Sequence, residues 1–156
     1  MNGRRSLTGL VIISLILGTA ACSSSDGSES PSASPATSEA SGQSVSVSLN
    51  QWSVTPSTTP ASGSVTFTVS NDGTITHEFV VLKTDTPAAD IPVGKFEGEP
   101  NRINEETAGT NVGETGDMDA GTTKTLTIDL APGHYVFLCN LPGHYQSGMH
   151  VDVTVS

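Results

Sequence analysis

Residues 132–149 read PGHYVFLCNLPGHYQSGM, and most of what the chain is follows from them. Pro132-Gly133 is a turn signal. Tyr135, Phe137 and Cys139 then alternate with Val136 and Leu138, which is the period-2 pattern of a strand. The strand ends at Cys139, and a turn-rich loop follows. His144 comes five residues after Cys139 and Met149 five after His144, so the spacing is C-x4-H-x4-M. Gly143 and Gly148 stand directly before His144 and Met149, where a residue without Cβ lets the backbone fold tightly enough to bring side chains together.

On either side of this stretch the chain repeats the strand texture. Val45, Val47 and Leu49 alternate with serines. Val65, Phe67 and Val69 alternate with Thr and Ser, and Leu126, Ile128 and Leu130 alternate in TKTLTIDL. Residues 75–83, ITHEFVVLK, form another β-rich run, and Val151, Val153 and Val155 end the chain as HVDVTV. Turn residues separate the runs at Pro56–Pro60, Asn71-Asp72-Gly73 and Leu141-Pro142-Gly143. There is no long amphipathic helix pattern. Short strands with one polar face predict an all-β antiparallel sandwich over residues 44–156. Residues 84–121 interrupt the rhythm with nine acids and two bases. Such a long connection is unusual inside a compact domain. It reads as a solvated acidic excursion or a binding segment, with one helical turn expected near Arg102–Thr107. No EF-hand spacing is present in it.

Charge and composition narrow the function. Apolar residues make up 35% of the 156, below the about 45–50% of a globular domain with glycine counted, so part of the chain is expected to be unpacked. The net charge is −10. Setting aside residues 1–21, with Arg4, Arg5 and no acid, leaves four cations against 16 acids, a balance of −12. That body repels phosphate backbones, and nucleic acid is excluded as a partner. Two cysteines, Cys22 and Cys139, are too few for a disulfide scaffold, a zinc ribbon or a four-thiolate iron–sulfur centre.

Residues 1–21 have the design of a secretory signal: a basic start, an apolar run from Leu7 to Leu17, then small residues. As a helix, Leu7–Ala21 spans about 22 Å, short of the about 30 Å of a hydrocarbon core. The run ends Thr19-Ala20-Ala21-Cys22, which resembles a bacterial lipoprotein signal with Cys22 as the lipidated first residue of the mature protein. Thr19 departs from the usual Leu. Arg4-Arg5 leave export by the general or the twin-arginine route open. Residues 22–43 hold the lipidation site and a Ser/Ala/Pro-rich tether that lacks the apolar surface to offset chain entropy. A flexible coil of that length reaches about 25 Å. A Cys22–Cys139 disulfide would consume the loop thiol, and lipidation of Cys22 forbids it.

The loop carries the chemistry. Taken singly, a Cys at a strand end is usually a small buried hydrophobe, and a Met or His is usually packing. Taken together, thiolate, thioether and imidazole are the donor set that selects copper. A trigonal site needs one more imidazole, and His77 in the ITHEFVVL run is the candidate. His134 lies on the strand face opposite Cys139. His134, His150 and Met118 fit no ligand spacing.

With these residues in view, the chain resembles a cupredoxin, the small blue-copper family that includes plastocyanin, azurin, rusticyanin and sulfocyanin. The resemblance covers roughly residues 44–156. It rests on Asn71, Gly73 and His77 in N-x-G-x-x-x-H, on Pro132, Gly133, Tyr135, Phe137 and Cys139 in P-G-x-Y-x-F-x-C, and on His144 and Met149. The ligand spacing is most like the rusticyanin and sulfocyanin type. The resemblance implies a Greek-key sandwich with copper at one end. His77, Cys139 and His144 are then the equatorial ligands and Met149 the weak axial one. It departs at Glu78, where many members carry an Asn that braces the ligand loop.

The expected function is extracytoplasmic one-electron transfer by a single type 1 copper, in a membrane-anchored lipoprotein that is not an enzyme. The alternative is copper storage, transfer or sensing without an electron-transfer role. A Cys139–His144 nucleophile pair has no orienting carboxylate in the loop, and Met149 is unexplained by it. The expected partners are a cytochrome or an oxidase and, through lipid, the membrane, with the protein itself a monomer. Leu141, Pro142 and Tyr145 are expected to surround an exposed edge of His144 as an apolar docking patch.

Overall fold

The computed structural model describes residues 42–156. The signal, lipidation and tether expectations, including Cys22, lie outside the described residues.

Two four-stranded sheets pack face to face. The first has the order β2-β1-β3-β8, from β1 (Gln43–Asn50), β2 (Ser53–Pro56), β3 (Gly63–Asn71) and β8 (Thr123–Leu130). The second has the order β10-β9-β4-β7, from β4 (Val80–Lys83), β7 (Thr110–Glu114), β9 (Gly133–Leu138) and β10 (His150–Val155). The alternations seen in the sequence face inward as expected. Val45, Val47 and Leu49 of β1, and Val65, Phe67 and Val69 of β3, are buried, with serines and threonines on the other face. Pairing is antiparallel throughout both sheets except between β1 and β3, which run parallel with Val47 opposite Val69. Phe67, Phe79 and Phe137 meet in the middle with ring centroids 5.4–5.5 Å apart. Deleting any of these rings costs about 3–5 kcal/mol. Cys139 and Met149 belong to this same core cluster.

The acidic excursion is not a solvated loop. Its residues form the 3-10 turn Ala88–Asp90, a hairpin of β5 (Val93–Phe96) and β6 (Glu99–Ile103), the one-turn helix α1 (Glu105–Ala108) and the sheet strand β7. The helical turn falls where the sequence places it, and Asn104 caps it by accepting the Thr107 N–H at 3.2 Å. The apolar residues of the excursion explain its course. Ala88, Ile91 and Ile103 pack with Val80, Leu82, Val136, Leu138 and Tyr145 into a second cluster on the outer face of the second sheet. All four residues of β9 from Tyr135 to Leu138 are therefore buried, those of one parity against the sandwich core and those of the other beneath the excursion. A strand covered on both faces loses strict polar alternation, and VFL is such a run. The acids other than buried Glu105 lie exposed on the outside of this cover.

The 75–83 run is less regular than its composition suggests. Only Val80–Lys83 is strand, and His77 makes a single isolated bridge to Met118. That break in the ladder is what turns His77 toward the loop.

Candidate metal centre

Local chemistry before His77 sets its position. Asn71 is buried, and its side-chain oxygen accepts the Gly73 N–H at 3.0 Å, closing an Asx turn. Its amide donates to Ile75 O and Met118 O, both at 2.8 Å. His77 and Met118 then exchange two backbone hydrogen bonds of 3.1 and 2.7 Å. Gly73 lies against the ring: a Cβ there would come within 2.8 Å of His77 Nε2. The N-x-G spacing before His77 is thus a mould for its imidazole.

The second ligand segment is a knot of turns. Cys139 N donates to Met149 O at 3.0 Å, and Met149 N donates to His144 O at 3.2 Å, so the loop from Cys139 to Met149 closes on itself. Gly143 at φ +82° and Gly148 at φ +109° take conformations that side-chain-bearing residues rarely adopt. The loop brings the donor atoms together. Nδ1 of His144 lies 3.2 Å from Nδ1 of His77 and 3.3 Å from Cys139 Sγ. One donor atom each from His77, Cys139 and His144 falls within 4.8 Å of the others. Met149 is fully buried in the core cluster that contains Cys139. His77 and Cys139 are fully buried, and His144 is half-buried with one edge toward solvent.

Without a cation this cluster of donors leaves a buried polar atom unpaired. Two neutral imidazoles and a thiol converge on one point with no carboxylate among them. Nδ1 of each ring faces the other, and buried His77 Nε2 has no hydrogen-bond partner. Burial, with His144 beside it, holds His77 below the ordinary imidazole range, and burial does the same to His144. Burial pushes the Cys139 thiol up to about 11. The backbone N–H groups of Glu78 and Leu141 pull it the other way, and the former lies 3.4 Å from Sγ. The rings are thus neutral donors at pH 7, and the thiol gives up a proton when a metal binds. Two imidazole nitrogens held by one ion through bonds of about 2.0 Å lie about 3.3 Å apart, close to the observed separation. The site fits a soft, thiolate-binding ion.

The sulfocyanin (SoxE) domain matches residues 41–156, essentially all of the described structure. The chain belongs to that family. Among solved structures, the dithionite-reduced auracyanin of Roseiflexus castenholzii superposes with TM-score 0.56 at 24% identity, covering 73% of this chain and 97% of its own. Auracyanin B gives 0.51 at 22% identity, covering 73% of this chain and 88% of its own. Auracyanin A of Chloroflexus aurantiacus, described as a "blue" copper protein, gives 0.51 at 17% identity over 72% and 98%. At these identities the likeness is one of fold. No curated protein matches the sequence at a significant level. The sulfocyanin domain is a cupredoxin that binds one copper, and His77, Cys139, His144 and Met149 form its candidate site.

The brace left open by Glu78 is present in another form. Glu78 is buried, and its Oε1 accepts the Asn140 N–H at 2.9 Å, tying the His77 segment to the residue after Cys139. Arg102 stands 3.9 Å from the same oxygen. Burial pushes the Glu78 carboxyl up to about 7, against the pull of Arg102 and of the Asn140 N–H. In the unfolded chain it ionises near its ordinary 4.5. Between these values the unfolded chain releases the proton and the fold keeps it. The stability this group contributes is therefore present below pH 4.5 and lost as the pH rises to 7. In copper-free protein, unfolding titrations should show wild type losing on the order of 3 kcal/mol relative to Glu78→Gln across that window. A pH-independent difference would mean that the carboxyl is ionised throughout.

Of the other residues considered, His134 bonds Thr84 O at 2.7 Å and Asp152 at 3.0 Å, and His150 packs on Tyr145 with centroids 4.6 Å apart. Both are packing residues, as the spacing suggested. Tyr145 is not part of an exposed patch. It is buried, and its hydroxyl donates to Ala88 O, so it roots the loop in the excursion. Its place at the surface is taken by Trp52, which no spacing signal marks. Trp52 is 44% exposed and meets His144 edge-on at 5.1 Å between centroids and His77 at 6.4 Å. As the sole tryptophan, it reports on the site. Titrating copper(II) into copper-free protein should quench most of its fluorescence with a break at one equivalent. Unquenched emission at saturation would place the metal elsewhere.

Proposed function

We propose that this sulfocyanin domain is an extracytoplasmic one-electron carrier. Its single type 1 copper is held by His77, Cys139 and His144 equatorially and by Met149 axially. The observation that carries the reading is the convergence of a buried imidazole, a half-buried one and a buried thiol within 4.8 Å at the end of a rigid sandwich. Copper bound there supplies a one-electron couple whose two states tolerate the same soft, three-plus-one donor set. The protein's own part is to keep the donors fixed and to exclude water. His77, Cys139 and Met149 are sealed in the core. Only His144 has an edge at the surface, which makes its ring the electron path.

The proposed partner is a cytochrome or an oxidase that docks over His144. Among the described residues the two exposed large apolar side chains are Trp52 and Ile75, and both flank the ligand segments. Leu141 and Pro142 continue the patch. Beside it lies a groove of about 630 Å³ lined by Glu97, Glu99, Glu106, Glu114 and Asp117, whose charge favours a basic partner. No helix among the described residues is long and apolar enough to cross a membrane. The proposed attachment is lipid on Cys22, with two or three acyl chains giving stable anchoring. Cys22→Ala should move the protein from the membrane fraction to the soluble fraction or leave it unprocessed. Undiminished membrane retention would replace the lipid by an uncleaved helix.

The deciding experiment loads purified protein with copper, records its optical spectrum, and cycles it with one-electron chemical reductants and oxidants in the presence of a copper chelator. The proposed carrier keeps its metal and its colour through repeated cycles. Rapid surrender of copper to the chelator would instead support a store or transfer protein.

A further inference from the structure

The acidic excursion reaches the ligand loop beside two of its ligands. Asn140, the residue after Cys139, is fully buried, and its side chain faces β6 and α1. Its Oδ1 accepts the Ile103 N–H at 2.8 Å. Its Nδ2 donates to Ile103 O at 3.1 Å and to Glu105 Oε1 at 2.7 Å. Its carbonyl accepts Arg102 Nε–H at 2.7 Å. Gly143, the residue before His144, donates its N–H to Asn101 O at 2.9 Å. Five hydrogen bonds thus run between residues 101–105 and residues 140–143.

The partners in this contact are themselves fixed. Glu105 is buried, and its second oxygen accepts from Asn111 at 2.7 Å. Arg102 lies over the Phe96 ring at 5.3 Å and pairs with Glu97 at 3.2 Å. Ile103 is fully buried in the outer cluster. Every polar group of the Asn140 side chain is used, and leaving one of them unpaired in this interior costs about 1–3 kcal/mol. A solvated surface loop has no need of such a contact. It falls, moreover, on the residues adjoining two of the ligands.

We propose that β6 and the start of α1 are a clamp on the copper-ligand loop, with Arg102, Glu105 and Asn140 as positioning residues that hold Cys139 and His144 in place before and after metal binding. The physical consequence is pre-organisation. A loop of eleven residues with two glycines would otherwise follow the geometry each oxidation state prefers, and outer contacts of this kind orient the donors and tune the metal. The clamp also holds Asn140, whose N–H donates to Glu78 Oε1 at 2.9 Å, and the Glu78 N–H in turn lies 3.4 Å from the Cys139 sulfur. Hydrogen bonds to the sulfur weaken its donation and raise the potential. Releasing the clamp should therefore lower it.

The inference rests on the copper reading of the site, so its test includes the copper-free protein. Three variants of the full chain, Asn140→Ala, Glu105→Ala and Arg102→Met, are compared with wild type. Asn140→Ala is the most severe, and the two others keep the loop sequence intact should it fail to fold. In the copper-free protein, the amide hydrogens of Asn140 and Gly143 should exchange faster in each variant, while those of β1 and β3 do not change. In the copper-loaded protein, the reduction potential should fall, and copper should leave to a chelator about 10–100-fold faster. Lower melting temperatures with unchanged loop exchange, potential and release rate would overturn the proposal and reduce the contact to hairpin attachment. Should wild type take up no copper, the copper reading fails on its own, and the amide exchange alone still decides whether the clamp holds the loop.

Discussion

Cys139→Ser should abolish the intense colour expected of the copper-loaded protein while leaving the sandwich folded. The colour requires a thiolate joined directly to the metal, and a hydroxyl is a harder and weaker donor. The fold should survive because the replacement is nearly isosteric. The serine hydroxyl can accept the Glu78 N–H that now reaches Sγ at 3.4 Å. The strand register of β9 against β4 and β10 does not involve the side chain. The loss of copper affinity should exceed the about 10–100-fold that follows removal of an outer-shell partner, since a primary donor is gone. Absorption spectra and a chelator competition measure both effects. Colour that persisted in the serine variant would remove Cys139 from the centre, and with it the blue-copper reading.

Substitutions at Met149 should move the reduction potential in opposite directions without emptying the site. A thioether is a soft donor that favours copper(I) relative to a harder atom. Met149→Gln offers an amide oxygen, which favours copper(II), so the potential falls. Met149→Leu removes the donor and keeps an apolar wall, so the potential rises. The position is fully buried, and the two changes strain it differently. Leucine nearly conserves volume and costs less than about 1.5 kcal/mol. Glutamine leaves amide hydrogens to satisfy and costs about 1–3 kcal/mol where it fails. The loop closure through Met149 N and O is main-chain and survives both. Potentiometric titration decides the matter. Equal potentials in both variants and wild type would make Met149 a packing residue, and loss of copper from both would make it a primary ligand.

The sequence by itself determined the sandwich and the candidate donor set. The alternations at Val45–Leu49, Val65–Val69 and Leu126–Leu130 could bury one face each only as paired strands, because a side-chain period of two leaves no other apolar surface. The spacing from Cys139 to Met149 with two glycines fixed a compact loop, since local backbone conformation is a matter of neighbours in sequence. Tertiary structure decided everything that depends on residues far apart in the chain. That His77 leaves the strand ladder follows from its bridge to Met118, 41 residues on. Glu78 could brace the loop only once Asn140 lay beside it, 62 residues away. The excursion looked solvated because its nine acids are set against only two bases and its apolar residues follow no strand or helix period. Its few apolar groups instead find a ready surface on the outer face of β9 and β4, and its polar ones find Asn140. Trp52 gave no signal at all, being a lone aromatic in a turn, and it stands over His144 because β2 runs beside β1 at that end of the sheet. Periodicity reports which face of an element is apolar. Which other element covers that face is set by packing and hydrogen-bond partners that only the folded chain brings together.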